Sequence, residues 1–207
     1  MDDLLSQAIG NLDGLHKVKE IELRIRQLTL AELATLKGPE ISFLLNYIRD
    51  GSSRGNIMEK FIQAKLGFEK TPNGTDGDLI DPDTGLIYEI KFSNGENDKA
   101  HSWKQVRQDE DVDVHIFVAH DQVKAQFVPF CMDRQQLDSH IRRHKPSKTH
   151  KTSEAMKTLS MPLKNEEEWF RAYCDLEMAE IINGIEVRGR SRDMADLAQV
   201  DLFADEV

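Results

Sequence analysis

Apolar and polar residues alternate from Leu86 to Ser93, and this period of two predicts a strand. A shorter apolar run from Gly77 to Asp81 precedes it and predicts a partner strand. The DPDTG segment at residues 81–85 favours a tight turn, because proline presets φ and glycine supplies a left-handed residue. The predicted hairpin places Asp78 directly opposite Glu89 on one face of the sheet.

Helical and strand patterns elsewhere in the sequence predict the elements around this hairpin. Asn56 can cap a helix from Ile57 to Leu66, which Gly67 would end. The pattern of residues 98–109 indicates another helix, packed against the sheet by its apolar side. Further strands are predicted at Phe68–Lys70, Val112–Ala119 and Gln126–Met132, and further helices at Leu30–Leu36, Pro39–Ile48, Arg134–Arg143 and Glu166–Ile182.

Asp78 and Glu89 form a carboxylate pair whose Cβ atoms the hairpin would hold about 5 Å apart. Two carboxylates at that distance repel each other unless one takes up a proton or a cation lies between them. Oxygen ligands of this kind suit Mg²⁺ or Mn²⁺. Lys91 shares the face of Glu89, where its ammonium can hold an attacking water and offset charge developing on phosphorus. The alternative is an ordinary hairpin whose exposed face carries charge.

The order of these elements resembles the PD-(D/E)XK superfamily of restriction-endonuclease-like nucleases, over residues 54 to about 120. The resemblance implies an α/β fold, with a mixed sheet in an αβββαβ core flanked by N- and C-terminal helices. It also implies a catalytic set and a metal site for Mg²⁺ or Mn²⁺. The catalytic residues would be Asp78, Glu89, Lys91 and Glu59, and the metal ligands Asp78, Glu89, the Ile90 carbonyl and Glu59.

Glu59 has an alternative interpretation, and Gln105 is a further candidate for the site. Glu59 would point at the metal site from its helix, but it could equally be a solvated glutamate that the helix dipole stabilises near the N-terminus. Gln105 lies where some members of that superfamily place a polar residue facing the site.

Length and composition predict one intracellular domain with terminal extensions. The 207 residues divide into an N-terminal helical region (1–53), a nuclease core (54–188) and a flexible tail (189–207). Cys131 and Cys174 lie in apolar contexts and are predicted to be buried thiols in a reducing cytoplasm. An acidic N-terminus and the lack of a long apolar run predict a cytoplasmic protein with no membrane contact.

The formal charge of −10 argues against a general affinity for nucleic acid, but residues 140–158 are markedly basic. This stretch is predicted to be a mobile loop within the core region. It is either a solvated loop or an arm that follows DNA phosphates. The DNA-binding candidates are Arg142, Arg143, Lys145, Lys148 and Lys151.

The C-terminal segment QVDLF at residues 199–203 resembles the short peptide by which bacterial replication and repair proteins dock on the sliding clamp. The resemblance implies that Leu202 and Phe203 fill an apolar pocket of the clamp while Gln199 and Asp201 contact its rim. The alternative is a tail that docks these apolar residues on its own domain.

The sequence therefore predicts a divalent-metal-dependent DNA endonuclease that hydrolyses phosphodiester bonds. A restriction-type enzyme would read base edges and act as a homodimer. The first alternative is a DNA repair or replication nicking nuclease that the sliding clamp recruits. The second is a non-catalytic module that binds DNA or the clamp and keeps the nuclease fold.

Overall fold

The computed structural model describes residues 15–72, 76–95, 100–107, 110–148 and 156–184. None of the helices in these ranges is long and apolar enough to cross a membrane. The helices are α1 (Leu15–Arg26), α2 (Leu30–Thr35), α3 (Gly38–Leu45), α4 (Gly51–Leu66), α5 (Arg134–His144), α6 (Glu166–Tyr173) and α7 (Leu176–Asn183). The strands are β1 (Glu69–Lys70), β2 (Leu79–Ile80), β3 (Ile87–Ser93), β4 (Ala100–Arg107), β5 (Val114–Asp121), β6 (Gln126–Asp133), β7 (Ser147–Lys148) and β8 (Met156–Pro162).

Two sheets organise the fold, and the larger one is mixed. Its strand order is β1-β2-β3-β5-β6, and β3 and β5 are parallel while the other neighbours are antiparallel. The smaller sheet has the order β4-β8-β7 and is antiparallel. The parallel pair requires a crossover, and β4 supplies it by pairing in the second sheet. The predicted α/β class with a mixed sheet is confirmed.

Each face of the larger sheet is covered by its own apolar cluster. One face packs Ile90, Ile116 and Val118 against helices that include α3, α4 and α7. The opposite face packs Phe117 and Phe130 against the second sheet and helices α5 and α6, where Trp103 and Trp169 stack with ring centroids 5.6 Å apart. Because both faces are covered, the interior residues of β5 are all buried, which gives an apolar run rather than a clean alternation.

The N-terminal helices belong to the same core as the sheet. Ile25, Leu33 and Leu45 come from α1, α2 and α3, and all three lie in the cluster on the helical face of the larger sheet. Thr29 caps α2 in a reciprocal capping box with Glu32, and the helix predicted at Leu30–Leu36 forms over Leu30–Thr35. The predicted boundary at residue 53 falls inside α4.

Helix α4 begins earlier than the sequence pattern predicts. Asp50 is its N-cap and accepts hydrogen bonds from the Ser52 and Ser53 N–H groups, so the helix starts at Gly51 and Asn56 is an interior residue. Its end at Gly67 is confirmed, with φ of 73° at that glycine. Glu59 therefore lies in the middle of α4, beyond the reach of the N-terminal dipole.

Residues 98–109 were predicted to be helical, and this prediction is wrong because 100–107 form strand β4. Trp103 and Val106 are three residues apart, which is a helical spacing. The structure places both on one face of a strand by a β-bulge: the pairing with β8 shifts by one residue between them. Gln105 lies in the bulge and has a positive φ of 59°, which accommodates the extra residue. A bulge thus gives a strand the apolar spacing of a helix.

The predicted helix from Glu166 to Ile182 is two helices. Helix α6 ends at Tyr173, and Asp175 caps α7 by accepting a hydrogen bond from the Met178 N–H at 2.9 Å. Cys174, between them, forms an isolated bridge with Phe130 of β6. An aspartate that can cap a new helix interrupts a pattern that would otherwise continue across the break.

Residues 140–158 were predicted to be a mobile loop, and most of their described part is regular structure. Residues 140–144 are the last turn of α5, Ser147–Lys148 form β7, and the segment from Met156 belongs to β8. The N-terminal part of α5 matches the prediction, with Asp133 as its cap. The sequence did not predict strand β8 because it is only partly buried, so many of its residues are polar and the apolar alternation of a strand is weak.

Cys131 and Cys174 are free thiols, and each is half-buried rather than buried as predicted. Burial raises the pKa of each thiol to about 12, and the nearby Asp175 carboxylate adds to that increase. Both residues are therefore uncharged and unreactive at neutral pH.

Candidate active site

The hairpin forms in the predicted register. Leu79 pairs with Tyr88 and Ile80 with Ile87, and the Asp81 N–H donates to the Leu86 carbonyl at 3.0 Å. The turn closes through a hydrogen bond of 2.8 Å from the Gly85 N–H to the Asp81 carbonyl. The turn residues therefore fix the pairing locally, before any tertiary contact is considered.

Asp78 leaves the ladder one residue before the predicted pair with Glu89. Its N–H donates to the Tyr88 carbonyl at 2.8 Å, and its carboxylate Oδ2 accepts a hydrogen bond from the Ile90 N–H, also at 2.8 Å. The side chain thus takes the position that a backbone carbonyl would occupy in a longer strand. In a strand, the N–H and C=O of one residue point to the same edge, so the Ile90 carbonyl faces the side where Asp78 lies.

Gly77 makes this departure possible. Its φ is +80°, and a Cβ at this position would lie 2.5 Å from Ile87 Cγ2 and 3.1 Å from the Tyr88 carbonyl oxygen. Thr71 Oγ1 donates to the Gly77 carbonyl at 2.9 Å, so the backbone group displaced from the ladder keeps a partner. Only glycine fits both the left-handed conformation and the close approach to β3.

Gly77→Ala is expected to lower the free energy of unfolding by about 2–4 kcal/mol, because left-handed strain adds to a clash with the Ile87 side chain and a tight contact with the Tyr88 carbonyl. Gly85→Ala is the matched control: its φ is +74°, but a Cβ there would meet nothing within 4 Å. It is expected to lose about 1 kcal/mol. Chemical denaturation of both variants checks the difference, and equal losses would show that the contact with β3 is unimportant.

Glu89 is the most deeply buried carboxylate of the site, with 6 % of its surface exposed, and it forms an ion pair with Lys91. Burial raises the pKa of Glu89 to about 7, since the protein interior disfavours the charged form. The Lys91 ammonium opposes that increase, and the charges of Asp78 and Glu110 add to it. A bound cation would, like Lys91, stabilise the ionised form of Glu89 and lower its pKa.

Glu59 reaches the site from α4, as the sequence predicts. It forms an ion pair with Lys70 of β1. Burial raises the pKa of Glu59, the Asp78 charge adds to the increase, and the Lys70 and Lys91 ammonium groups oppose it. The structure therefore brings Glu59, Asp78 and Lys91 into one electrostatic cluster that Glu89 also belongs to.

His115 borders this cluster and was missed by sequence reasoning. It lies on β5 directly beside Glu89 in the parallel register and is 2 % exposed. Burial lowers the pKa of His115 to about 4, and Lys91 lowers it further, while the Arg107 backbone acts in the opposite direction. Within the described residues, neither ring nitrogen has a hydrogen-bond partner of normal geometry.

Glu110 and Lys70 also belong to the site without a sequence signal. Arg107 donates to Glu110 Oε1 at 2.6 Å, while Oε2 is buried and without a partner in the described part of the chain. Neither residue follows a motif, because a loop carries Glu110 and a two-residue strand carries Lys70. For His115 a signal did exist: alternation along β5 puts it on the face of Phe117.

The donors at this site are of the kind that binds Mg²⁺ or Mn²⁺, but they do not yet form a complete metal site. Among the described residues, no three His, Cys, Asp or Glu side chains converge closely enough to hold an ion. Lys91 supplies the positive charge at Glu89, and the Ile90 N–H engages one oxygen of Asp78. A cation would therefore bind Glu89 only after Lys91 moves aside, with the second oxygen of Asp78 and the Ile90 carbonyl as further donors.

The remaining sequence candidates lie on other elements or outside the described residues. Arg142, Arg143 and Lys145 are exposed at the C-terminal end of α5, and Lys148 is in β7. Gln105 is exposed in the β4 bulge. Lys151 and the tail candidates Gln199, Asp201, Leu202 and Phe203 lie outside the described residues.

No protein-family model matches this chain. No curated protein matches it at a significant level either.

Proposed function

We propose that the protein is a divalent-metal-dependent endonuclease that hydrolyses DNA phosphodiester bonds on a restriction-endonuclease-like core. One observation carries the proposal: Asp78, Glu89 and Lys91 from a single hairpin share an electrostatic cluster with Glu59 from the preceding helix. The arrangement of α4, β1, β2, β3 and the parallel strand β5 supports the same core. In place of the expected second helix, the crossover is strand β4.

The proposed role of the carboxylates is to hold the cation. Asp78 and Glu89 would bind Mg²⁺ or Mn²⁺ together with the Ile90 carbonyl, and Glu59 would bind its water ligands. A divalent ion, when bound, stabilises negative charge on the phosphoryl oxygens and on the leaving 3′ oxygen. Asp78 is preorganised for this role, because its hydrogen bond to the Ile90 N–H fixes the orientation of its carboxylate.

The proposed role of Lys91 is to orient the attacking water. Its side chain is 20 % exposed, so the ammonium lies at the border between the buried Glu89 and solvent. With a cation held at Glu89, the Lys91 ammonium would no longer be needed in the ion pair, and its three N–H donors would be available to water and phosphate. The same ammonium stabilises charge developing on phosphorus without leaving the site.

Arg142, Arg143 and Lys145 are the proposed phosphate-binding surface. They are exposed at the C-terminal end of α5, and Lys145 ends that helix in a left-handed conformation. Phosphate contacts supply most of the sequence-independent affinity for DNA, so a local basic surface can act despite the overall charge of −10. Recruitment by a sliding clamp and homodimer formation stay predictions from the sequence.

A second candidate, a DNA-binding module without turnover, is favoured by the Glu89–Lys91 ion pair. This pair satisfies the buried carboxylate without a metal ion, and no three ligands converge among the described residues. Such a module would bind DNA in the presence of EDTA and would not cut it under any condition.

Incubation of supercoiled plasmid with the purified protein tests the proposal. Nicked or linear product is expected with Mg²⁺ or Mn²⁺ and no product with EDTA. The Lys91→Met variant, purified in the same way, controls for contaminating nucleases. A binding assay on the same plasmid in EDTA distinguishes the two candidates: binding without cleavage in either metal would contradict the nuclease and support the module.

A further inference from the structure

His115 is a buried histidine beside the proposed active site. The hydrogen-bonding capacity of its ring is not fully used. It is 2 % exposed, and neither ring nitrogen has a hydrogen-bond partner of normal geometry among the described residues, although the Arg107 backbone lies close enough to act on the ring. The parallel register places it next to Glu89, and paired residues of neighbouring strands point to the same face. Its imidazole therefore shares the face that carries Glu89 and Lys91.

The other buried histidines of the described part of the chain are better satisfied. His120 bonds Ser42 Oγ at 2.7 Å through Nε2 and Asn94 Oδ1 at 2.8 Å through Nδ1. His140 Nδ1 lies 3.4 Å from the Tyr173 hydroxyl, and His101 leaves only Nδ1 without a partner. A buried nitrogen without a partner costs about 1–3 kcal/mol, and the Arg107 backbone can engage only one nitrogen of His115, so the other indicates a missing ligand.

The surroundings of His115 favour a cation as that ligand. The nearest register partner is a carboxylate, Glu89, and the Asp78 charge also acts on the His115 ring. Glu110, whose charge acts on Glu89, has a buried Oε2 without a partner within the described ranges. Lone pairs on a neutral imidazole and on carboxylates are metal donors, and a cation would satisfy several of them at once.

We propose that His115 contributes an imidazole nitrogen to a divalent ion bound at Glu89, and that this ligand makes the site prefer Mn²⁺ to Mg²⁺. The inference rests on the proposed metal site and specifies its chemistry. Imidazole binds Mn²⁺ and later transition metals more strongly than Mg²⁺, which keeps oxygen ligands and its own waters. Because no third His, Cys, Asp or Glu side chain converges on these two donors among the described residues, the remaining coordination positions would be filled by the Ile90 carbonyl and water.

Calorimetric titration of the full chain with MnCl₂ and MgCl₂, in the absence of DNA, tests the inference. His115→Phe keeps a ring in the buried position and removes both nitrogens. It is expected to weaken Mn²⁺ binding by about tenfold or more while leaving Mg²⁺ binding nearly unchanged. His101→Phe is the matched control, since His101 is 5 % exposed and also has an unpartnered nitrogen but lies on β4 near Gly95. It should keep both affinities.

Pulsed electron paramagnetic resonance of the Mn²⁺-loaded wild-type protein gives a second measurement that needs no variant. Coupling to a directly bound ring nitrogen is expected, and it should vanish in His115→Phe. Absence of that coupling in the wild type, or unchanged Mn²⁺ affinity in the variant, overturns the inference.

The nuclease proposal fails separately from this inference. Nitrogen-coupled Mn²⁺ without plasmid cleavage supports the His115 ligand and contradicts the nuclease. Cleavage by a protein whose Mn²⁺ shows no nitrogen coupling contradicts only the His115 ligand. Failure to bind either metal contradicts both.

Discussion

Lys91→Met is expected to reduce DNA cleavage by about 10²–10³-fold, the usual loss when one preorganised charge-stabilising donor is removed. The Lys91 ammonium forms an ion pair with the buried Glu89 and holds its pKa down, so its loss also raises the pKa of Glu89 further. Asp78→Asn and Glu89→Gln are expected to lose activity to the same degree, because each removes a carboxylate charge that would bind the cation. Initial rates of plasmid nicking at saturating Mn²⁺ and Mg²⁺ give the comparison.

Lys124→Met is the matched control for that measurement. Lys124 also pairs with a carboxylate, Asp121, but it is 59 % exposed in the turn between β5 and β6. Its replacement should leave nicking within about twofold of the wild type, as exposed ion pairs contribute little. Lys91→Arg separates charge from geometry, because guanidinium keeps the charge and is a poorer match for a compact water-binding site. Wild-type rates from a folded Lys91→Met protein would remove Lys91 from the mechanism.

The hairpin at the centre of the site could be predicted from sequence because all its information is local. Residues 81–85 determine the turn, the turn determines the register, and alternation assigns Glu89 and Lys91 to one face. What the register could not reveal is that Asp78 turns away from the ladder. That departure depends on Gly77 and its close approach to Ile87, and this contact can be seen only in the folded structure.

Errors in the predicted elements have a shared physical origin. A period of three or four residues arises in a helix, but it also arises when a bulge adds one residue to a strand, as between Trp103 and Val106. Asp50 can be recognised in the sequence as a possible N-cap of α4, but Asn56 is an equally good candidate. Only the packing of the helix shows that Asp50 is the cap. Glu110 joins the cluster through a loop that no motif marks. Alternation along β5 gives the face of His115, but only the pairing of β5 with β3 places it beside Glu89.

Acidification from pH 6.5 to pH 4.5 is expected to destabilise the protein by roughly 5 kcal/mol, comparable to the whole stability of a small domain. Four buried histidines drive this loss, since burial lowers the pKa of His101 as well as those of the three that follow. Burial lowers the pKa of His115, His120 and His140 to about 4, whereas an unfolded histidine titrates near 6.5. Between these values the unfolded chain binds up to three more histidine protons than the folded one, so stability falls as the pH falls.

Glu89 works in the opposite direction over much of the same range. Burial raises its folded pKa to about 7, above the value of about 4.5 for an unfolded glutamate, so the folded state holds one extra proton between those values. Its contribution to stability is present at low pH and is lost as the pH rises towards 7. For these three histidines and Glu89, three protons taken up on unfolding against one released leave a net uptake of two, or roughly 3 kcal/mol per pH unit. His101, whose pKa is lowered, adds to the uptake, and Glu59, whose pKa is raised, opposes it.

Urea denaturation at intervals from pH 4.5 to 8 checks this slope. His140→Phe provides the sharpest variant, because it retains ring contacts with Trp169 and Tyr173 and removes one titrating group from a position 6 % exposed. The acid slope of this variant should be smaller by at most about 1 kcal/mol per pH unit. Glu89→Gln should do the reverse and steepen it, since the opposing proton is gone. An acid slope that neither substitution changes would show that these buried groups titrate as they do in the unfolded chain.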